Sequence, residues 1–148
     1  MDHKTLLIAA LLLSASLPAL ASNASPIGRW ITFDEETQGA KALVEIHEHD
    51  GKFEGTVVRI IKSIEVDNPR CRACTGEHRD QPIVGMTILE GMHPDGDDWS
   101  GGSILDPENG KSYSCRMSLS QGGDELEVRG YIGLPLLGRT QVWKREPR

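Results

Sequence analysis

The chain has 148 residues, a formal net charge of −6 and 38% hydrophobic residues. This length fits one globular domain, and the acidic charge disfavours binding to nucleic acid, which requires clustered Lys and Arg, and electrostatic docking on anionic lipid. No segment approaches the ~20 consecutive apolar residues of a membrane-spanning helix.

Residues 1–21 have the parts of a secretory signal peptide. Lys4 supplies a positive charge, Leu6 to Leu13 form a short apolar run, and Ala19-Leu20-Ala21 supplies the small residues that precede a cleavage site. We therefore expect cleavage near Ala21 and export of the protein to the periplasm or the medium. The remaining residues, 22–148, are predicted to form a single domain.

From Ile27 onward, turn residues (Gly, Asp, Asn or Pro) interrupt the sequence roughly every eight to twelve residues, which predicts a series of short strands. No stretch keeps the apolar spacing of an amphipathic helix over three turns, so little helix is expected. The predicted strands, in chain order, are Ile27–Asp34, Lys41–His49, Lys52–Ile61, Ile83–Gly91, Asp98–Leu105, Lys111–Leu119, Glu125–Ile132 and Gly138–Arg145.

Alternation within these strands predicts one buried and one solvent-exposed face. In the sixth strand, Tyr113, Cys115 and Met117 share one face, whereas Ser114 and Arg116 lie on the other. Sequential strands with one wet face can hide their edges by closing into a barrel. We therefore predict an all-β fold, an eight-stranded antiparallel up-and-down barrel, whose interior is either filled by side chains or holds one small ligand.

The two ends of the strand series carry matching motifs. Gly28-Arg29-Trp30 opens the first strand, and Trp143-Lys144-Arg145 closes the last. This pair resembles the lipocalin (calycin) signature, in which a Gly-x-Trp tryptophan near the closed end of the barrel is covered by a basic side chain from the final strand. The resemblance implies that Gly28 and Trp30 form the barrel floor under a basic side chain, for which Arg145 is the first candidate and Lys144 the second. A cation over the indole adds about 1 kcal/mol.

A wider resemblance covers nearly all of the chain after the signal peptide. The sequence is similar to a bacterial family of exported proteins that is catalogued as a domain of unknown function and has a lipocalin-like barrel. The segments that carry it are Gly28-Arg29-Trp30, Asp80-Gln81-Pro82-Ile83-Val84-Gly85, Trp99-Ser100-Gly101-Gly102, Ile104-Leu105-Asp106-Pro107, Gly110-Lys111 with Tyr113, Arg129-Gly130-Tyr131-Ile132-Gly133 and Leu137-Gly138-Arg139-Thr140-Gln141. The resemblance implies fold and export, and it implies no activity and no catalytic residues.

The connections of such a barrel alternate between its two ends. With Trp30 at the floor, the mouth gathers the longest connection, residues 62–82, and the apolar segment Leu134-Pro135-Leu136-Leu137. Binding is expected at the mouth, because loops held by a rigid scaffold usually carry function. The apolar segment either folds inward to cap the core, covers a ligand cavity as a lid, or forms a patch for a partner or lipid.

Three cysteines follow the signal peptide. Cys71 and Cys74 are predicted to form a disulfide that clips the long loop, because export places them in an oxidising compartment. A redox-active pair, with a thiolate stabilised by Arg70 and Arg72, is an alternative, as is a zinc site built with His78 and Cys115. Cys115 is the leftover thiol on an apolar face, and no metal or other cofactor is predicted.

The sequence contains no Gly-x-Ser-x-Gly elbow, no His-Glu-x-x-His motif and no phosphate loop, so no enzymatic activity is predicted. One hypothesis is a periplasmic carrier or sensor that holds a small apolar or amphipathic ligand at the barrel mouth. The other is a protein-interaction module of the cell envelope, with a filled barrel whose mouth loops bind an envelope protein. A void smaller than roughly a few hundred Å³ would disfavour the carrier.

Overall fold

The structure is a computed structural model that describes residues 25–61 and 68–148, so the predicted signal peptide lies outside the described residues. Antiparallel strands form a closed barrel in which each strand pairs with its neighbours in sequence and the last pairs with the first. The strands are β1 (Gly28–Phe33), β2 (Ala40–His49), β3 (Lys52–Ile60), β4 (Thr87–Asp95), β5 (Asp98–Asp106), β6 (Lys111–Ser120), β7 (Glu125–Tyr131) and β8 (Arg139–Arg145). The predicted all-β up-and-down barrel of eight strands is confirmed.

Helix is limited, within the described residues, to short 3-10 segments at Gly76–His78, Gln121–Gly123 and Pro135–Leu137. None of the helical segments in residues 25–61 and 68–148 has the length and apolar character needed to cross a membrane. Strand alternation, rather than helix packing, therefore builds the interior of the barrel.

The prediction of the fourth strand is wrong by four residues at each end. The apolar residues from Ile83 belong to a turn instead, because the Met86 N–H donates to the Ile83 carbonyl at 3.1 Å and Gly85 has a φ of +92°. At the other end, β4 continues through Pro94, whose missing N–H is tolerated because pairing with β3 ends at Met92. The other strand bounds differ from their predictions by one residue at most.

The half of the barrel that contains Trp30 is filled by large buried side chains. Trp99 and Phe53 meet there edge to face, with ring centroids 5.9 Å apart. The largest fully buried side chains in this half are Trp30, Ile46, Leu89, Met92, Met117 and Leu126. None of these side chains lines the cavity in the other half, so the barrel is filled at one end and hollow at the other.

Candidate functional site

The closed end of the barrel is built around Trp30, which is fully buried. Its indole N–H donates to the Pro26 carbonyl oxygen at 2.8 Å. The guanidinium carbon of Arg145 lies 4.2 Å from the centroid of the indole ring, in the geometry of a cation–π contact. The structure therefore brings together the first and last strands at this end, where the resemblance implied a floor.

Arg145 also binds the segments that surround the tryptophan. Its guanidinium donates to the carbonyl oxygens of Gly123, Ile27 and Ser25 at 2.8, 3.0 and 3.0 Å. Burial lowers the pKa of Arg145 from its usual value. Gly28 leaves room for this side chain, because it has a φ of +132° and a Cβ there would lie 2.8 Å from an Arg145 nitrogen. Only glycine accommodates both constraints without strain.

The opposite end of the barrel contains a cavity of about 780 Å³. This volume lies within the range of roughly 300–1,000 Å³ that is typical of small-molecule sites. The strand residues of its wall are mainly apolar, and they include Val44, Val57, Ile88, Ile104, Leu105 and Trp143. The charged side chains come from loops and strand ends: Lys41, Arg70, Arg72, Asp106, Glu108 and Arg139. The site therefore has an apolar interior and a charged rim.

A polar network joins one wall of the cavity to the connection between β1 and β2. The Trp143 indole N–H donates to the Gln141 side-chain oxygen at 3.2 Å, and the Gln141 amide donates to Glu35 at 3.1 Å. Arg139 binds the other carboxylate oxygen of Glu35 at 3.1 Å. The network fixes the orientation of Trp143 in the wall. The sequence does not reveal this network, because Glu35 lies 104 and 106 residues from Arg139 and Gln141, and the four residues share no motif.

The predicted disulfide between Cys71 and Cys74 is confirmed. Its loop lies at the mouth, where Arg70, Arg72 and Ala73 line the cavity. Cys71 is fully buried, and its N–H and C=O bond to Gln81 and Asp80 at 2.9 and 3.0 Å. The zinc alternative finds no support within residues 25–61 and 68–148, which hold no group of three or more His, Cys, Asp or Glu side chains arranged for a metal ion.

Cys115 is a free, fully buried cysteine on β6, and burial raises its pKa from 9.0 to about 12. Because only the thiolate reacts with disulfide reagents, we expect the native protein at pH 8 to leave Cys115 unlabelled by Ellman's reagent. Denaturation without a reductant should expose one reactive thiol per chain, since the other two cysteines are bonded. Fast labelling of the native protein, or three thiols in denaturant, would contradict the burial or the disulfide.

The apolar segment Leu134–Leu137 lies between β7 and β8, at the same end as the cavity, but none of its four residues, Leu134, Pro135, Leu136 or Leu137, lines the cavity. The three leucines are 65–84% exposed, so the segment neither folds inward over the core nor covers the cavity in this structure. Arg129 holds it in this position, donating to the carbonyls of Pro135 and Leu136 at 2.7 and 3.3 Å. A role of this segment in ligand uptake stays a prediction.

Comparison with known proteins supports the same fold. A family profile described as "Uncharacterized protein conserved in bacteria (DUF2147)" matches residues 28–145. No curated protein matches the chain. A solved structure of protein HP1028 from Helicobacter pylori, described as belonging to the lipocalin family, superposes with a TM-score of 0.72 at 21% sequence identity and covers 84% of each chain. This likeness is one of fold.

Proposed function

The chain belongs to the bacterial family DUF2147, and from this premise we propose that it is an exported, non-enzymatic protein that binds a small apolar or amphipathic molecule in the mouth of its barrel. The observation that carries the proposal is the cavity of about 780 Å³, closed below by the packed floor. Export is supported by the signal-peptide pattern of residues 1–21.

The chemistry of the wall supports an apolar ligand body. Side chains such as Val57, Ile88 and Trp143 offer dispersion contacts and no hydrogen-bonding group besides the indole N–H, which Gln141 already binds. Each methylene that a ligand buries there contributes about 0.8 kcal/mol. The wall is formed by strands of a closed barrel, so the site is preformed and little ordering opposes binding.

The interaction-module hypothesis assumed a barrel filled by side chains, and the cavity departs from that assumption. One observation still favours a protein partner, which is the exposure of Leu134, Leu136 and Leu137 on a loop held by Arg129. An apolar loop tip of this kind is typical of contact surfaces. Docking of an envelope protein on this tip is therefore our second candidate function, and it is compatible with a ligand in the cavity.

The uncharged fluorescent probe N-phenyl-1-naphthylamine tests the binding proposal. We expect one probe to bind per barrel, and Ala42→Trp to weaken binding by about tenfold or more, because Ala42 lines the cavity and a larger side chain would occupy its space. Ile104→Trp is a second blocking variant from the facing wall. Fluorescence titration gives the dissociation constants, and circular dichroism establishes that each variant is folded.

Val142→Trp is the matched control, since Val142 lies on β8, is 40% exposed and is absent from the cavity lining. It adds the same indole outside the barrel and is expected to leave the dissociation constant of the probe unchanged. Equal binding by the wild type and both folded blocking variants would overturn the proposal, as would the absence of any binding to the wild type.

A further inference from the structure

The rim of the cavity differs in charge from the chain as a whole. The sequence has 16 Lys and Arg against 22 Asp and Glu. The residues that line the cavity reverse this balance, with four basic side chains (Lys41, Arg70, Arg72 and Arg139) against two acidic ones (Asp106 and Glu108). The mouth is therefore a locally basic region on an acidic protein.

Two of these cations are neutralised by the protein itself. The Lys41 ammonium lies 2.8 Å from a Glu108 carboxylate oxygen, and Arg139 lies 3.1 Å from Glu35. The carboxylate of Asp106, the other acid of the lining, accepts the Glu108 backbone N–H at 2.9 Å within its own turn. The two ion pairs leave no net charge for a ligand, whereas Asp106 keeps its negative charge at the rim.

Arg70 and Arg72 have no such counterion among the described residues. Arg70 donates to the Asp80 backbone carbonyl at 2.8 Å, and a carbonyl orients a guanidinium without cancelling its charge. Arg72 forms no ion pair with residues 25–61 or 68–148, and its backbone N–H bonds to the Arg70 carbonyl at 2.9 Å. Two guanidinium groups thus stand beside an apolar cavity with most of their donors available to a ligand.

The backbone that carries both arginines is held in place. They flank Cys71, whose disulfide to Cys74 closes a short ring. Arg70 also forms an antiparallel bridge with Pro82, and the Ile83 N–H donates to the Pro69 carbonyl at 2.8 Å. A preorganised cation loses less entropy when it binds an anion than one on a free loop does.

We infer that the ligand is an amphiphile with an anionic head group, a carboxylate or a phosphate, which Arg70 and Arg72 bind at the mouth while the apolar tail fills the cavity. This inference rests on the proposed function and names its ligand class. Arginine suits both head groups, because its planar fork donates two parallel hydrogen bonds to a carboxylate or a phosphate.

Ligands with one tail and different head groups test the inference by isothermal titration calorimetry. The set is decanoate, decyl phosphate, 1-decanol and decyltrimethylammonium, with decanol added below its solubility limit and the others below their micelle-forming concentrations. We expect decanoate or decyl phosphate to bind about tenfold more tightly than decanol, and the trimethylammonium compound to bind most weakly. The comparison of the two anions identifies the preferred head group. Added NaCl should weaken the binding of the two anions and leave the binding of decanol unchanged, since salt screens exposed charges.

The double variant Arg70→Gln/Arg72→Gln should lose about tenfold in affinity for the preferred anion and keep the affinity of the wild type for decanol. Arg79→Gln is the control: it removes one charge of the same kind from the same loop, against two in the double variant, but Arg79 is 75% exposed and absent from the lining. It is expected to bind all four compounds as the wild type does.

The outcomes separate this inference from the proposed function. If decanol binds as tightly as both anions, or if the double variant binds the preferred anion like the wild type, the anionic head group is wrong while apolar binding stands. An equal loss from Arg79→Gln would also overturn it, because the effect would then be one of net charge. If none of the four compounds binds, the proposed function fails and the inference fails with it.

Discussion

Replacing Trp30 by alanine is expected to lower the free energy of unfolding by about 3–5 kcal/mol, the usual cost of truncating a large buried aromatic side chain. Trp30 is fully buried and is held by the hydrogen bond from its indole to Pro26. The variant would leave a cavity in the filled half of the core. It would also remove the ring over which the Arg145 guanidinium lies.

Guanidinium denaturation followed by far-ultraviolet circular dichroism measures this loss without depending on tryptophan fluorescence. Trp30→Phe is the matched variant, because it keeps an aromatic face for Arg145 while it removes the indole N–H and part of the volume. We expect it to retain more than half of the stability that Trp30→Ala loses. A loss below about 1 kcal/mol for Trp30→Ala would mean that the floor does not depend on this side chain.

The fold could be predicted from the strand pattern and the turn residues, because both are local features of the sequence. Asp50-Gly51, for example, connects β2 and β3, and both residues have positive φ, of 52° and 74°. The fourth strand was misplaced because a short apolar run reads the same way in a strand and in a packed turn. Ile83 packs against the core from that turn, which only the folded arrangement reveals.

The candidate site could be predicted only where its residues lie close in sequence or match a known signature. Cys71 and Cys74 are three residues apart, and the resemblance pointed to Arg145 as the covering cation. Arg70 and Arg72 were noted only as neighbours of the cysteines, because the local sequence does not indicate that their loop lines a cavity. The hollow half of the barrel was also beyond prediction, since a cavity depends on how side chains from every strand fill a common volume.

The position of the loop that contains Arg70 and Arg72 is expected to depend on Gly110, which lies in the turn between β5 and β6. Gly110 has a φ of +72°, and a Cβ there would overlap the Ala73 carbonyl and lie 2.8 Å from the Cys74 backbone nitrogen. Gly110→Ala therefore combines a left-handed backbone, which costs about 1–2 kcal/mol, with a clash against another backbone segment, which costs about 1–3 kcal/mol. We expect the free energy of unfolding to fall by about 3 kcal/mol in total.

Gly51→Ala separates these two costs. Gly51 has nearly the same φ, +74°, but a Cβ there meets no atom within 4 Å. Its variant should therefore show the backbone cost alone, about 1–2 kcal/mol, in the same denaturation experiment. The difference between the two variants measures how firmly the disulfide loop is seated on the β5–β6 turn. Equal losses would mean that the loop moves aside freely, and Arg70 and Arg72 would then be less preorganised for an anion than their contacts indicate.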